Sequence, residues 1–426
     1  MTVTAVIGTQ WGDEAKGKVV DLLSQHADIV ARFNGGDNAG HTVINQFGTF
    51  KLRLTPNGFY NPQTTCIIGP GVVLNLKTLI DEIEDIQQSG IELANRLWVS
   101  PRCHVIMPWH PMLETIYEDA KGSARTGTTK RGIGPVYADK VSYNGIRLYD
   151  LADEQVLTEK IRVQLAIKNP VFKSFGLEPL NLKAVLEKKL DQYTHIREVI
   201  REPFGLLHKA LSNQDAIMLE GAQGALLDNN WGTYPFCTAS ITIAGGAAAG
   251  LGIPPHSISR VIGVAKAYTT RVGAGPMPTE LTDETGETLQ REGHEYGTVT
   301  NRPRRCGWFD AQLVRFTIQL NGVTELALTK LDVLDTLPTV RICVGYQRGD
   351  TADQIWHYWE GDATWLGENQ PVYIELDGWQ QPTSGVRDFA QLPPNAQDYI
   401  RKIEKLVGVP IKFVSVGPAR KETIIL

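Results

Sequence analysis

Residues 8–21 read GTQWGDEAKGKVVD and directly follow the apolar run TVTAVI. A strand, a glycine-rich loop and an apolar-periodic helix (VVDLLSQ), in this order, are typical of a phosphate-binding P-loop. The segment 12–18 (GDEAKGK) matches that motif, but Val19 stands where a P-loop has the Ser or Thr whose hydroxyl holds magnesium. The loop also carries two carboxylates, Asp13 and Glu14. We interpret Asp13 as a group that binds magnesium or accepts a proton from a substrate lying beside the phosphate.

The composition of the 426-residue chain argues against several classes of partner. A formal charge of -5 gives no general attraction to nucleic acid or to an anionic membrane, so we expect neither as a partner. No apolar stretch reaches the roughly 18 residues that span a bilayer, and the N-terminus does not resemble a signal peptide. Five scattered cysteines without CxxC spacing favour a reducing, cytoplasmic location over a disulfide framework or a zinc site.

Ten short apolar or β-branched runs recur between TVTAVI near the start and PIKFVSV near the end. Near-continuous apolar runs are typical of parallel strands that are covered on both faces. Residues 151–213 differ, because they are charged and have a helical period. The sequence therefore predicts one α/β domain over residues 1–426, P-loop-NTPase-like, with a large, mostly parallel central sheet flanked by helices. The segment at about 151–213 is predicted to be a helical subdomain.

A second glycine-rich loop, FNGGDNAGHTV at residues 33–43, also follows a predicted strand. Its three glycines allow the backbone to approach a ligand closely. His41 is the imidazole of this loop, and we favour a role as general acid or oxyanion stabiliser over a structural one. His104 and His110, by contrast, lack metal-binding spacing and are predicted to be structural.

The segment ELALTKLDVLD at residues 325–335 ends an apolar strand in Thr-Lys-x-Asp, the pattern of guanine-reading sites. Guanine presents two neighbouring N–H donors, and the carboxylate of Asp332 could accept both. Adenine has an acceptor at that place and would be rejected. The stem of Lys330 could cover the face of the base. The motif is weak alone, but together with the first loop it favours GTP over ATP.

Arginines cluster in GTVTNRPRRCGWFD at residues 297–310. Arg302, Arg304 and Arg305 surround Pro303, and guanidinium groups bind carboxylates and phosphates in a bidentate manner. The loop suits the capture of an anionic substrate, although a solvent-facing basic turn is the alternative. A further segment, EGAQGALLDNNWGTYPFCTAS at 220–240, offers amide and hydroxyl groups that suit a nucleotide base or sugar.

These segments together closely resemble the adenylosuccinate synthetase family, and they occur in order across nearly the whole chain. The stretches that carry the resemblance are GTQWGDEAKGK, NGGDNAGHT, GTTKRGIGPVYADK, EGAQGALLD, TRVGAGPMPTE, the arginine loop, LTKLDVLD and VSVGPAR. Several of them are specific to the family.

The resemblance implies a GTP-dependent ligation of IMP and L-aspartate in two steps, in a cytoplasmic homodimer. Asp13 would act as the base on N1 of IMP, so that O6 attacks the γ-phosphate of GTP. His41 would stabilise and protonate the transferring phosphoryl group. The amino group of aspartate would then displace phosphate from 6-phosphoryl-IMP. Mg²⁺, one per subunit, would be held by Asp13 and the carbonyl of Gly40.

The resemblance also implies three sets of contacts. Those to GTP are Gly12, Asp13, Glu14, Ala15, Lys16, Gly17, Lys18, Gly40, His41, Thr42, Arg304, Lys330, Leu331, Asp332, Ser415, Val416 and Gly417. Those to IMP are Asp13, Glu14, Ala15, Lys16, Asn38, Ala39, Gly40, His41, Thr129, Gln223, Thr238 and Arg302. Those to aspartate are Thr298, Val299, Thr300, Asn301, Arg302, Pro303 and Arg304.

The chain departs from the family pattern at four positions. Ala15 replaces a glycine, which we expect to be tolerable only if the residue avoids positive φ. Val299 and Asn301 stand in a loop that usually reads TTGR. Tyr143 stands where the family has an arginine that reaches the IMP phosphate of the partner subunit, and Arg147 lies one turn further on. We therefore predict weaker binding of IMP than is usual for the family.

Two alternative functions follow from the same residues. One is a GTP-binding switch without ligase chemistry, which would need neither Asp13 nor the arginine loop. The other is a related GTP-dependent ligase that accepts another amino acid or purine nucleotide, as Tyr143, Val299 and Asn301 suggest.

Overall fold

The structure is a computed structural model that describes residues 3–297, 302–348, 355–356, 359 and 362–426. Its strands are β1 (Val3–Gly8), β2 (Ile29–Arg32), β3 (His41–Asn45), β4 (Gly48–Leu52), β5 (Thr65–Ile68), β6 (Val73–Leu74), β7 (Leu97–Val99), β8 (His104–Val105), β9 (Ile217–Gly224), β10 (Ile258–Lys266), β11 (Thr269–Arg271), β12 (Arg305–Gly307), β13 (Phe309–Asp310), β14 (Glu325–Thr329), β15 (Thr339–Gln347), β16 (Ile355–Trp356), β17 (Gln370–Asp377), β18 (Ile411–Ser415) and β19 (Thr423–Ile425). Its α-helices are α1 (Lys16–Leu23), α2 (Leu76–Gln88), α3 (Trp109–Ala120), α4 (Ile133–Val141), α5 (Glu154–Ser174), α6 (Leu182–Ile196), α7 (Phe204–Asn213), α8 (Gly245–Leu251), α9 (Glu284–Glu292), α10 (Ala311–Asn321), α11 (Ala363–Glu368) and α12 (Pro394–Val407).

In the described part of the chain, nine strands form one sheet in the order β19-β18-β14-β10-β1-β9-β2-β5-β7. Every neighbouring pair in it is parallel except β18 and β19. All ten runs predicted as strands are strands, which confirms the α/β fold with its large, mostly parallel sheet. Two of them, β15 and β17, pair antiparallel in a separate small sheet instead.

The middle of the large sheet is covered on both faces. Every residue of β1, β2 and β9 is buried, as the continuous apolar runs predict for parallel strands. Parallel strands end at the same edge, so the segments that follow β1, β2, β9, β10 and β14 emerge side by side. In open α/β sheets this carboxyl edge is where ligands bind.

Residues 154–213 contain the helices α5, α6 and α7 and no strand. The first two helices begin at side-chain caps, because the carboxylate of Asp153 and the amide of Asn181 accept from backbone N–H groups of the first turn. Leu157 and Ile161 of α5 are fully buried in an apolar cluster shared with β5 and β7. That these helices form a subdomain of their own stays a prediction. Among the helices of the described residues, none has both the length and the apolar character needed to cross a bilayer.

Candidate functional site

A cavity of about 400 Å³ opens at the carboxyl edge of the large sheet. It is lined by the loops that follow β1, β2 and β9, by the segment before α4 and by the arginine loop. Eleven of the predicted site residues meet there, although they come from segments far apart in the sequence. They are Gly12, Asp13, Asn38, Ala39, Gly40, His41, Thr129, Gln223, Thr238, Arg302 and Arg304.

Asp13 lies on this cavity beside a guanidinium group. Its Oδ1 is 3.2 Å from Nη2 of Arg304, and the side chain of Asp13 is about one-fifth exposed. Arg304 also donates from Nη1 to the buried carboxylate of Glu295, at 2.6 Å. The arginine is thus held in place by one carboxylate while it contacts the other. A substrate that uses Asp13 as base therefore meets a cation at the same point.

Glu14, the other carboxylate of the first loop, is turned inward and fully buried. Its Oε1 accepts from the backbone N–H groups of Gln10 and Gly12, and its Oε2 pairs with Nζ of Lys16 at 2.7 Å. Two backbone amides at the start of the first loop are therefore bound by a carboxylate of the same loop. The side chains of Glu14 and Lys16 build the loop, and neither lines the cavity.

Ala15 precedes α1 with φ of 63° and ψ of 37°, in the left-handed region. The condition under which we expected alanine to be tolerable, that it avoids positive φ, is therefore not met. The loop turns into the helix at this residue, and its carbonyl accepts from the N–H of Lys18 at 3.1 Å. A non-glycine residue in this conformation costs about 1–2 kcal/mol, which the surrounding contacts must offset.

His41 is positioned by a buried carboxylate that the sequence analysis did not single out. Its Nδ1 lies 3.1 Å from Oε1 of Glu220, in the middle of β9. Glu220 also accepts from the backbone N–H of Asn57 at 2.8 Å and from its side-chain amide at 2.6 Å. Burial lowers the pKa of His41, against the raising effect of Glu220. The pair is best described as an ionised Glu220 that accepts from Nδ1–H of a neutral imidazole, so that Nε2 is left for the cavity.

Lys18 connects the first loop to the end of β18. Its ammonium donates to Oγ of Ser415 at 2.6 Å and to the carbonyl of Gly417 at 2.7 Å. Burial lowers its pKa to about 8, while Asp332 and Glu422 nearby act in the opposite direction. The lysine that a P-loop aims at phosphate is here directed at the 415–417 segment. Four residues predicted to bind GTP therefore lie close together outside the cavity, namely Lys18, Asp332, Ser415 and Gly417.

Asp332 has a buried oxygen with no partner. Its Oδ1 accepts no hydrogen bond from any described residue, and burial raises the pKa of the carboxyl. An unpaired buried acceptor is unfavourable unless a donor is supplied, and the N–H edge of guanine supplies two. The side chains of Leu331 and Val416 are fully buried, so only their backbone could contact a nucleotide. Thr42 lies exposed on β3.

The three arginines of the basic loop have different surroundings. Arg302 donates from Nη2 to the carbonyl of Gly127 at 2.9 Å, and it lines the cavity together with Arg304. Arg305 instead forms a bidentate pair with Glu280 and is not among the residues that line the cavity. The expectation that all three arginines serve one anionic substrate therefore holds at most for two. Thr298, Val299, Thr300 and Asn301 lie outside the described residues, and the neighbouring Pro303 is exposed.

The polar residues predicted to bind IMP form a connected group. Gln223 donates from its amide to Oδ1 of Asn38 at 3.0 Å, and Asn38 lies 3.4 Å from Oγ1 of Thr238. Thr129 lies opposite, in a segment held by Glu118, which accepts from the backbone N–H of Gly127 at 2.8 Å. Hydrogen bonding of this kind fixes side chains for recognition of an uncharged base or sugar.

Besides Glu220, sequence reasoning missed Arg271, Glu118 and Glu295. Arg271 is the last residue of β11, lines the cavity, and its guanidinium lies 5.0 Å from the ring centroid of Trp11. Burial lowers its pKa to about 9. The quoted segments EGAQG and TRVGAG contain Glu220 and Arg271, so position within a motif was a usable signal for those two. Glu118 and Glu295 lie outside every quoted segment.

No group of three or more His, Cys, Asp or Glu side chains within the described residues is arranged to hold a metal ion. The donor set predicted for Mg²⁺, the carboxylate of Asp13 and the backbone oxygen of Gly40, lines one cavity. Magnesium commonly binds through one or two carboxylates, water and substrate phosphates, without a cage of protein ligands. These hard oxygen donors fit that mode of binding.

Comparison with known proteins agrees with this geometry. A family model described as adenylosuccinate synthetase matches residues 5–424. An adenylosuccinate synthetase of Carboxydothermus hydrogenoformans is 47% identical, over 100% of this chain and 99% of that protein. One of Heliobacterium modesticaldum is 46% identical, again over 100% and 99%. The solved structure of fully ligated adenylosuccinate synthetase from Plasmodium falciparum is 36% identical, covers 100% of both chains and superposes with a TM-score of 0.93. The chain therefore belongs to the adenylosuccinate synthetase family.

Proposed function

We propose that the protein catalyses the GTP-dependent ligation of IMP and L-aspartate to adenylosuccinate, with release of GDP and phosphate, as a C–N ligase of purine biosynthesis. One observation carries the proposal: a single cavity brings together Asp13, His41 and Arg302 with amide and hydroxyl groups that suit a nucleotide. A base, an imidazole and an anion-binding guanidinium are the groups that this chemistry needs at one place.

The first step transfers a phosphoryl group to IMP. Asp13 accepts the proton of N1, and electron density moves to O6, which attacks the γ-phosphorus of GTP as its bond to GDP breaks. Nε2 of His41 faces the same cavity. Negative charge from bound phosphates raises the pKa of an imidazole, so a protonated His41 stabilises the transferring group. Arg304 stabilises the same charge from the side of Asp13.

The second step forms the C–N bond. The amino group of aspartate attacks C6 of 6-phosphoryl-IMP, the C6–O6 bond breaks, and phosphate leaves with the surplus proton of the amine. The carboxylates of aspartate are bound by Arg302 and by the 298–304 loop, because guanidinium groups hold carboxylates in a bidentate manner.

We assign the nucleotide as GTP because the unpaired carboxylate oxygen of Asp332 could accept hydrogen bonds from the N–H edge of guanine. Lys18, Ser415 and Gly417 lie next to this carboxylate and contribute to the same subsite. Magnesium, held by Asp13 and the carbonyl of Gly40, would neutralise charge on the nucleotide phosphates.

We also propose that the protein acts in the cytoplasm as a homodimer. All five cysteines are free thiols, as in proteins of a reducing compartment. Tyr143 lies two residues after α4 and is 96% exposed, as expected of a position that serves only the partner subunit. A neutral tyrosine there offers the IMP phosphate one hydrogen bond and no charge.

The weak binding of IMP predicted from Tyr143 is tested by Tyr143→Arg. The variant should have a lower KM for IMP with kcat little changed, because an arginine adds a charge-assisted hydrogen bond to phosphate. Tyr143→Phe serves as the control for loss of the hydroxyl alone. An unchanged KM in the arginine variant would show that residue 143 does not contact the phosphate.

The function itself is tested by product analysis. The protein is incubated with GTP, magnesium and IMP while the amino acid is varied, and products are identified by mass. Adenylosuccinate should form with aspartate only, and phosphate should be released only when IMP and aspartate are both present. Absence of adenylosuccinate with aspartate would refute the proposal, and a product with another amino acid would redefine the substrate.

A further inference from the structure

Glu295 is a fully buried carboxylate in the turn that follows α9. Its backbone is anchored to the arginine loop, because the N–H of Arg304 donates to the carbonyl of Glu295 at 2.8 Å. The side chain is not part of any sequence segment that indicated the function. The role of Glu295 must therefore be inferred from the contacts that its side chain makes in the folded protein.

The carboxylate of Glu295 gathers three cations. Oε1 accepts from Nζ of Lys266 at 2.8 Å and from Nζ of Lys330 at 2.7 Å. Oε2 accepts from Nη1 of Arg304 at 2.6 Å. The hydroxyl of Tyr268 completes the set through a short hydrogen bond to Oε1. Burial alone would raise the pKa of Glu295, but the three cations hold it well below its ordinary value.

The two oxygens of Glu295 face two different subsites. Lys330 follows β14 and belongs to the Thr-Lys-x-Asp segment, while Arg304 lies 3.2 Å from Asp13 at the phosphoryl-transfer centre. Loss or displacement of one cation changes the electrostatic environment of the other, because both are paired with the single buried carboxylate of Glu295. Groups in one hydrogen-bonded ionic network are coupled for this reason.

We propose that Glu295 is a positioning residue that couples the guanine subsite, through Lys330, to the catalytic base Asp13, through Arg304. Binding of the guanine base and alignment of Arg304 with Asp13 are then linked. A nucleotide that does not engage Lys330 should therefore transfer its γ-phosphoryl group less efficiently. This inference rests on the proposed function, because it uses the assignment of Lys330 to GTP and of Asp13 to IMP.

A double-mutant cycle between Lys330→Met and Arg304→Lys tests the coupling. The quantity measured is kcat/KM for GTP at saturating IMP and aspartate. Independent residues give fold losses that multiply in the double variant. With Glu295 present, we expect the double variant to retain at least about fivefold more activity than that product. In a Glu295→Gln background the losses should multiply to within about twofold.

Two further variants separate positioning from simple stabilisation. Glu295→Asp keeps the charge, but its shorter side chain cannot reach both cations, so the coupling should shrink in this background also. It replaces Glu295→Gln as the test background if the glutamine variant does not fold. Tyr268→Phe removes a donor to the same carboxylate without removing a cation, so it should lower the melting temperature and leave the coupling intact.

The outcomes distinguish this inference from the proposed function. If the wild-type protein does not consume GTP in the presence of IMP and aspartate, the proposed function fails. If it does, but the losses multiply when Glu295 is present, the coupling is refuted alone. Coupling that persists unchanged in both Glu295 backgrounds would also overturn the role of Glu295.

Discussion

Two histidines of this protein, His41 and His110, are each paired with a carboxylate but differ in their surroundings. Nδ1 of His41 lies 3.1 Å from Glu220, and Nε2 of His110 lies 2.9 Å from Asp139. Burial lowers the pKa of both imidazoles, against the raising effect of the carboxylate. Residue type and the kind of partner are therefore alike in the two pairs, although the side chain of His41 is 10% exposed and that of His110 is 1% exposed.

The pairs differ in the second ring nitrogen. Nδ1 of His110 accepts from the backbone N–H of Met107 at 2.9 Å, so both nitrogens of this fully buried ring are used inside the protein. His41 lines the cavity, and none of the described residues contacts its Nε2 through a hydrogen bond. An imidazole that is oriented by a carboxylate and keeps one nitrogen for a cavity is suited to chemistry. One with both nitrogens satisfied stabilises the fold.

Replacement of the His41 ring should cause the largest loss of kcat and is the strongest test of this comparison. We expect His41→Asn to reduce kcat by about 10²–10⁴-fold, the usual contribution of an acid–base group, while the fold survives because asparagine can still donate to Glu220. Steady-state kinetics and thermal melting measure the two properties. His110→Asn is the matched control, with near-normal kcat and lower stability. A His41→Asn variant that keeps more than a tenth of the activity would contradict the assignment.

Glu220→Gln should have the next largest effect. We expect kcat to fall by about 10- to 100-fold, because an amide no longer fixes the Nδ1–H tautomer or stabilises a protonated ring. Loss of the carboxylate also lowers the pKa of His41, so the activity limb that reports protonated His41 should move to lower pH. The pH dependence of kcat measures the shift. Asp139→Asn, the equivalent change beside His110, should leave that profile where it is.

Asp139→Asn should act on stability. Asp139 accepts from His110 and from Lys168, each at 2.9 Å, so the change leaves a nearly buried ammonium without its counter-charge. We expect a loss of about 1–3 kcal/mol in the free energy of unfolding, measured by chemical denaturation. The kcat of the Asp139→Asn variant, per folded molecule, should equal that of the wild type. A stability equal to the wild type would show that the pair contributes nothing.

The sign of the pH dependence at Asp139 follows from its pKa. Burial would raise this pKa, but the hydrogen bonds from His110 and Lys168 hold it below the ordinary 3.8. The stabilisation is therefore complete above about pH 3.8 and is lost as the pH falls through the lowered value. Asp139→Asn should flatten this part of the acid-unfolding curve.

The smallest expected effect concerns the residues that precede two helices. Ala15 before α1 and Gly132 before α4 both have positive φ, of 63° and 78°. Ala15→Gly should stabilise the protein by about 1 kcal/mol, because glycine adopts this conformation without strain. Gly132→Ala should destabilise it by more, since the new Cβ would lie 2.7 Å from that of His110. Thermal melting compares them, and an Ala15→Gly variant that melts lower would show that alanine is favoured in this loop.

Much of the fold could be predicted from local sequence. Continuous apolar runs indicated the strands, and the strand–loop–helix order at residues 3–23 indicated where a ligand binds. The family resemblance implied that Asp13 and His41 act on one substrate, and in the structure both follow strands whose carboxyl ends share one edge. The position of Glu220 beside His41 could not be predicted from the sequence, because no periodicity shows that β9 lies between β1 and β2 in the sheet.

By itself the sequence determined the α/β class, the family and the residue types available for chemistry, because these depend on local pattern and composition. Which of these residues meet depends on how the chain folds. The tertiary structure turned Glu14 onto the amides of its own loop, paired Arg305 with Glu280, and placed Glu295 among three cations. All three results depend on burial, and the last two also depend on partners that are distant in the sequence. The physical reason is that a charge taken out of water must find its counter-charge in space, wherever that lies in the sequence.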